Sequence, residues 1–153
     1  MMKKYFILSL LLGTILGQSK EELVGVYKTL RIDDESNKER IHIILEEDGT
    51  GIYSFIFVDN PDRNIFYDIT WEVKINPSKT IGNHIGGVII FTSINDKSQT
   101  LFNFGLLKNL TDKDKERSKK DYTYYEGGNI LFLWKIGYTH EDSGSKLRVL
   151  EGF

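Results

Sequence analysis

The chain has 153 residues, of which 40% are hydrophobic and 12% aromatic, and its formal net charge is −2. This length fits one domain that builds its own apolar core. Because the chain has no cysteine, disulfides, a thiol nucleophile and a lipid attached through cysteine are excluded. The slight negative charge argues against nucleic acid as a partner.

The chain begins with a segment typical of a secretory signal peptide. Lys3 and Lys4 supply a positive start, and an apolar run from Tyr5 to Leu16 follows. This run has about 12 residues, whereas a membrane-spanning helix needs about 20. We therefore expect a removable leader over residues 1–17 rather than a membrane anchor, and a protein secreted to the cell exterior or to a bacterial periplasm.

Small residues after the apolar run predict cleavage after Gly17 or Ser19. The expected mature domain is then residues 18–153. Loss of Lys3 and Lys4 changes 20 basic against 22 acidic residues to 18 against 22, a formal charge of about −4.

Alternation of apolar and polar residues along the mature chain predicts an all-β fold. The clearest case covers residues 65–75, where Ile69, Trp71 and Val73 alternate with Thr70 and Glu72. Eight stretches are predicted as strands, at residues 23–32, 41–46, 52–58, 65–75, 87–94, 99–107, 129–137 and 146–151.

Turn residues join these strands in a succession of hairpins. Asp48 and Gly49 form the strongest turn, and Pro61 and Pro77 each lie in a polar connection. Eight antiparallel strands with short links favour a closed up-and-down barrel, which removes the two open edges of a sheet. A two-sheet sandwich is the alternative.

One insertion interrupts the hairpin succession between the sixth and seventh strands, at residues 108–128. Thr111 is placed to cap a short, exposed, charged helix. Tyr122, Tyr124 and Tyr125 follow it, and aromatic side chains with polar tips are suited to contact a partner protein. Because its basic and acidic residues nearly cancel, the charged run itself is interpreted as a solvated excursion, and a lid or a partner-binding loop that uses the three tyrosines is the alternative.

Several of these segments resemble the lipocalin and calycin superfamily. Leu23-Val24-Gly25-Val26-Tyr27-Lys28 resembles its Gly-x-Trp opening, with Tyr27 in place of the tryptophan. Glu47-Asp48-Gly49-Thr50-Gly51, Ile69-Thr70-Trp71-Glu72-Val73, Asn129-Ile130-Leu131-Phe132-Leu133-Trp134 and Leu147-Arg148-Val149 continue the resemblance. It covers nearly the whole mature chain.

The resemblance implies an eight-stranded cup, sealed at one end by Tyr27 and open at the other to a small apolar molecule. Arg148 would match the family's terminal arginine and stack on Tyr27. The alternation leaves open whether Arg148 or the pair Leu147 and Val149 faces inward.

The leading functional hypothesis is a non-enzymatic protein that carries a small hydrophobic ligand inside the barrel. The predicted ligand-binding residues are Tyr27, Tyr53, Phe55, Tyr67, Trp71, Phe104, Phe132, Trp134 and Arg148, and Ile43, Leu45, Ile69 and Ile90 complete the expected inward set. The alternative is a secreted protein-binding or inhibitor-type module with a filled core that acts through its loops.

The sequence contains no arrangement that indicates catalysis. His42, His84 and His140 fall in separate segments without a metal-ligand spacing, and no nucleophile elbow occurs. We therefore predict no enzyme activity, no metal and no cofactor. We also expect a monomer without a nucleic-acid partner or a membrane span.

Overall fold

Ten β-strands and one α-helix of eight residues form within the residues described by this computed structural model, namely 20–29, 31–32, 39–119, 123–124, 127–136 and 148–153, and Lys20 and Glu21 are helical as well. The strands are β1 (Gly25–Thr29), β2 (Arg31–Ile32), β3 (Glu39–Leu45), β4 (Thr50–Phe57), β5 (Ile65–Ile75), β6 (His84–Ser93), β7 (Gln99–Leu107), β8 (Thr123–Tyr124), β9 (Asn129–Lys135) and β10 (Arg148–Gly152). The helix α1 spans Asp112–Lys119, and single 3-10 turns lie at Pro61–Arg63 and Pro77–Lys79. The predicted leader, residues 1–17, lies outside the described residues.

Eight of these strands form a closed antiparallel barrel in the order β1-β10-β9-β7-β6-β5-β4-β3. Strand β1 closes it, because Tyr27 pairs with Gly152 on one side and with Ile43 on the other. The prediction of an all-β, eight-stranded, up-and-down barrel is confirmed, and the sandwich alternative is wrong. Closure leaves no edge strand in the main sheet.

The register of the ladders sets which side chains face the interior. Trp71 pairs with Phe91, and Phe104 pairs with Leu133; all four are buried. Because alternate residues of a strand point to opposite faces, these pairs define the inward positions of their strands. The core cluster further includes Leu23, Tyr27, Ile41, Ile43, Leu45, Tyr53, Ile69, Ile85, Ile89, Leu106, Leu131 and Leu150.

The first strand is shorter than predicted. Leu23 belongs to a turn and Val24 follows it, and their amides donate to the carbonyls of the helical residues Lys20 and Glu21 at 3.0 and 3.1 Å. At the other end of β1, the Thr29 hydroxyl accepts from the Ile41 amide at 2.7 Å and donates to the Ile41 carbonyl at 3.2 Å. The Thr29 side chain thus takes the place of the backbone ladder between β1 and β3, and β1 ends at this residue.

The insertion after β7 forms a capped helix and a short second sheet. The Thr111 hydroxyl accepts from the Asp114 amide at 3.2 Å and donates to the Asp114 carboxylate at 2.8 Å, so the predicted cap is confirmed. Beyond α1, Tyr124 pairs with Arg31 in a two-stranded sheet of β2 and β8. The second sheet was not predicted, because two-residue strands are too short to show alternation.

The end of the barrel that carries the β3–β4 hairpin is sealed by the residues before β1; we call it the closed end. Leu23 is fully buried there, and Tyr27 and Trp71 are each 1% exposed. The Trp71 indole N–H donates to the carbonyls of Glu46 and Thr50 at 3.1 and 3.0 Å. Lys20 Nζ lies 4.9 Å from the Trp71 ring centroid. The barrel is therefore filled at this end.

Candidate functional site

A cavity of about 390 Å³ lies at the opposite end of the barrel, which carries the β6–β7 hairpin and which we call the open end. It falls within the size range of small-molecule sites. Its described lining comprises Tyr53, Phe55, Tyr67, Ile69, Phe91, Ser93, Asp96, Ser98, Thr100 and Phe102. Strands β4 to β7 and the turn between β6 and β7 supply these residues, so one continuous wall of the barrel builds the site.

Five aromatic rings form a connected chain around this cavity. Tyr53 lies at the centre, with ring centroids 5.4 Å from Phe55 and 5.7 Å from Phe91. Phe55 continues to Tyr67 at 6.3 Å, and Phe91 continues to Phe102 at 6.1 Å. Three of these contacts are edge to face, with interplanar angles of 61° to 85°, and the Tyr53–Phe91 pair is tilted at 58°. The result is an apolar surface suited to a hydrophobic or aromatic ligand.

The polar side of the cavity comes from the β6–β7 hairpin. The Asp96 carboxylate accepts hydrogen bonds from the Ser98 hydroxyl at 2.7 Å and from the Ser98 amide at 3.0 Å. These bonds, with a further one from the Ser93 hydroxyl, lower the pKa of Asp96 below its ordinary value. Of the described residues that line the cavity, Asp96 alone is charged at neutral pH.

Three of the nine predicted ligand-binding residues meet in this cavity: Tyr53, Phe55 and Tyr67. They share the inward face of β4 and β5, where Tyr53 pairs with Tyr67. Tyr53 is 9% exposed and Tyr67 is 42% exposed, so the cavity extends from the buried core to the solvent-exposed surface.

Three other predicted residues lie inside the barrel but do not line the cavity. Tyr27 and Trp71 belong to the closed end, and Phe104 is 1% exposed within the core. Burial raises the pKa of the Tyr27 phenol above its ordinary value. These side chains fill the barrel interior below the cavity but would not contact a molecule bound in it.

Phe132 and Trp134 lie on the outer face of β9, contrary to the expected inward set. Their neighbours Leu131 and Leu133 are fully buried in the core cluster, and alternate residues face opposite sides. Trp134 instead lies beside Gly105 on the outer wall, where a Cβ added to the glycine would be 3.8 Å from the indole. Apolar residues occupy both faces of β9, so alternation could not identify the inward one.

In β6 as well, apolar residues on both faces made the sequence prediction wrong for one residue, Ile90, which was expected to face inward. Ile89 is fully buried and pairs with Phe102, whereas Ile90 pairs with Glu72 on the outer face. The run from Val88 to Phe91 is apolar throughout, and such a run has no period of two to read.

The remaining predicted site residues are described only in part. Arg148 pairs with Leu133 in the β9–β10 ladder, two residues before the buried Leu150. Tyr124 pairs with Arg31 in the second sheet. Tyr122 and Tyr125 lie outside the described residues, so their predicted partner contacts stay a prediction.

Sequence reasoning missed Phe91 and Phe102, and it missed the polar residues of the hairpin, Asp96, Ser98 and Thr100. Strand β7 carried a usable pattern, since Thr100, Phe102, Phe104 and Leu106 occupy alternate positions. The sequence around Asp96 did not indicate a site, because a carboxylate in a turn most often accepts hydrogen bonds from its own backbone. Only the tertiary structure brings this turn to the aromatic rings of β4 and β5.

Exposed apolar side chains surround the open end. Phe66 is 63% exposed and Val58 59%, and Ile65, Ile94, Leu101 and Ile136 are each between 40% and 43% exposed. A shallower depression of about 280 Å³ lies on the outer wall below this rim, between Ile44, Ile52, Asp68 and Ile94. Ile81 and Phe153, 76% and 59% exposed, lie at the closed end instead. A group of large exposed apolar side chains is typical of surfaces that contact other molecules.

Neither a metal centre nor a membrane-spanning helix is formed by the described residues. No three of their His, Asp or Glu side chains come together so that they could hold a metal ion. No helix among them is both long and apolar enough to cross a membrane.

Comparison with known proteins assigns no family to the chain. No model of a known protein family, no curated protein and no solved structure matches it. The described residues form an eight-stranded, antiparallel, closed barrel, and this architecture is compatible with a lipocalin-like fold.

Proposed function

We propose that this protein is a secreted, non-enzymatic binding protein that holds a small hydrophobic molecule at the open end of its barrel, and that it belongs to the lipocalin and calycin superfamily. The observation that carries the ligand proposal is the chain of five aromatic rings around a cavity of about 390 Å³. Rings that already pack against one another present preordered apolar area, which reduces the ordering cost of ligand binding.

The uneven filling of the barrel supports the same proposal. Large side chains occupy the closed end, where Leu23, Tyr27 and Trp71 are each at most 1% exposed. The open end keeps room between Tyr53, Phe91 and neighbouring rings. A barrel filled at one end only is a cup with a shallow, solvent-accessible pocket.

Calorimetric titration with decanol, below the concentration at which it aggregates, tests the proposal. Thr100 lies on the inward face of β7, where it pairs with Phe91 and lines the cavity. Thr100→Trp should therefore block the pocket and abolish the heat of binding. Thr92→Trp places the same side chain on the outward face of the same hairpin and should leave binding intact.

Loss of binding in both variants would show that the hairpin was distorted, and an unchanged affinity in Thr100→Trp would place the ligand elsewhere. Mass spectrometry of protein purified gently from its native host should also reveal an apolar compound that copurifies.

The second candidate is a protein-binding module that acts through its loops. The exposed rim favours it, because Phe66 and Val58 present large apolar side chains beside the pocket. A folded protein that binds no decanol and copurifies with no apolar compound would support this second function over the first.

A further inference from the structure

We propose that the ligand is an amphiphilic organic cation, whose apolar part contacts the aromatic rings of the open end and whose ammonium-type group faces Asp96. This inference rests on the proposed function and names the chemical class of its ligand. It joins two features of one cavity, the ring chain centred on Tyr53 and the carboxylate of the β6–β7 hairpin.

The charge of the lining favours a cation over an anion. Its described residues are aromatic or apolar on β4 and β5, and Ser93, Asp96, Ser98 and Thr100 form its polar part. No lysine, arginine or histidine is among them. A ligand carboxylate would meet like charge at Asp96, whereas an ammonium group would meet opposite charge.

Hydrogen bonds orient the Asp96 carboxylate and leave it able to accept from a ligand. The Ser98 amide and hydroxyl hold Asp96 in one orientation through bonds of 3.0 and 2.7 Å. Since a carboxylate can accept about four hydrogen bonds, it keeps capacity for a donor on the ligand. The same bonds stabilise the ionised form.

The aromatic rings also favour a cation. Tyr and Phe faces attract cations through their quadrupole, and this attraction adds to that of a nearby carboxylate. Tyr53, Phe55, Tyr67, Phe91 and Phe102 supply five such rings. An aromatic wall with one negative group is thus complementary to a cation that carries apolar substituents.

The positive charges of two lysines near the site oppose the binding of a cation. Lys97 adjoins Asp96 in the hairpin turn, and Lys135 pairs with Phe102 across the β7–β9 ladder. Both side chains are exposed, and neither lines the cavity. Asp96 is exposed as well, so water and salt screen all three charges. Asp96 differs from the two lysines in that it lines the cavity, where a bound group would contact it.

Three probes that share one chain test the charge preference: decylammonium, decanol and decanoate, each titrated calorimetrically at pH 7 below its aggregation concentration. We expect decylammonium to bind roughly threefold to tenfold more tightly than decanol, and decanoate more weakly than decanol. Raising the salt concentration should reduce the preference for decylammonium while leaving the affinity for decanol nearly unchanged.

The Asp96→Asn variant should remove the preference without affecting decanol, because an asparagine can still accept the Ser98 bonds. Asp48→Asn is the matched control. Asp48 holds the Thr50 amide and hydroxyl at 2.9 and 2.6 Å in the same way, but in the hairpin of the closed end. This control should keep the full preference.

The outcomes separate this inference from the proposed function. If decanol binds and decylammonium has no advantage, or if Asp96→Asn keeps the advantage, the cation proposal is overturned and the apolar pocket stands. Tighter binding of decanoate would assign the site to anions and would also overturn it. If none of the three probes binds, the proposed function itself fails.

Discussion

The phenolic hydroxyl of Tyr27 donates a hydrogen bond of 2.8 Å to the main-chain carbonyl of Leu23, and both residues are at most 1% exposed. This bond ties the first barrel strand to the turn that precedes it. It also satisfies a carbonyl that would otherwise be buried without a partner. The closed end of the cup depends on this contact.

Tyr27→Phe should destabilise the fold without changing it. Removal of the hydroxyl leaves the Leu23 carbonyl buried and unpaired, which costs about 1–3 kcal/mol of unfolding free energy. Urea denaturation measures this change. Tyr67→Phe, at a side chain that is 42% exposed, should change stability by less than about 0.5 kcal/mol. Equal effects of the two variants would contradict the role of the hydroxyl.

Gly87→Ala should disrupt the junction of β5 and β6. Gly87 pairs with Ile75, and a Cβ at this position would collide with the main-chain carbonyl of Lys74. Since backbone of a neighbouring strand cannot move aside, we expect a loss of about 3 kcal/mol in the free energy of unfolding. Thermal or urea unfolding would report it.

Gly128→Ala is the matched control for this glycine. A Cβ there would meet nothing within 4 Å, and its φ does not lie in the left-handed region. Its stability should stay within about 0.5 kcal/mol of the parent protein. A Gly87→Ala variant as stable as this control would refute the close approach of the two strands.

His42 should make stability depend on pH in the weakly acidic range. Burial, and then the charge of Lys28 opposite it in the β1–β3 ladder, lower the pKa of His42 from its ordinary value of 6.5. The unfolded chain therefore binds a proton more readily, so unfolding free energy falls as pH drops from 6.5 toward the lowered pKa.

His42→Gln should flatten this part of the stability profile, and an NMR titration should show the His42 ring titrating below pH 6.5. Lys28→Gln should raise the His42 pKa only partly, because burial is the larger cause. If the ring titrates at its ordinary value, the explanation is wrong.

The predicted leader is tested by the N-terminus of the exported protein. Mass spectrometry should find a chain that starts at Gln18 or Lys20. Cleavage further along would remove Lys20, whose Nζ lies 4.9 Å from the Trp71 ring, and would begin to open the closed end. An N-terminus at Met1 in exported protein would contradict the leader.

Local patterns were sufficient to predict the barrel. Residues of β5 alternate cleanly, so Ile69, Trp71 and Val73 could be assigned to the interior before the fold was known. The Asp48-Gly49 turn likewise identified the β3–β4 hairpin, where Gly49 adopts a φ of 85°. Both features depend on neighbours in sequence only.

The site was predicted in part, for the same reason. Tyr53, Phe55 and Tyr67 lie on clearly alternating strands and meet in the cavity. Phe132 and Trp134 belong to a strand that is apolar on both faces, and there the sequence does not distinguish inside from outside. Trp71 faces inward as expected but belongs to the filled, closed end.

The sequence by itself determined the alternation, the turns and therefore an antiparallel sheet of eight strands that closes on itself. Only the tertiary structure decided which end is filled and which is open. It also brought Asp96, from a turn between β6 and β7, to the aromatic rings of β4 and β5. The physical reason is that alternation depends on adjacent residues, whereas a cavity depends on the volumes of side chains from strands far apart in sequence.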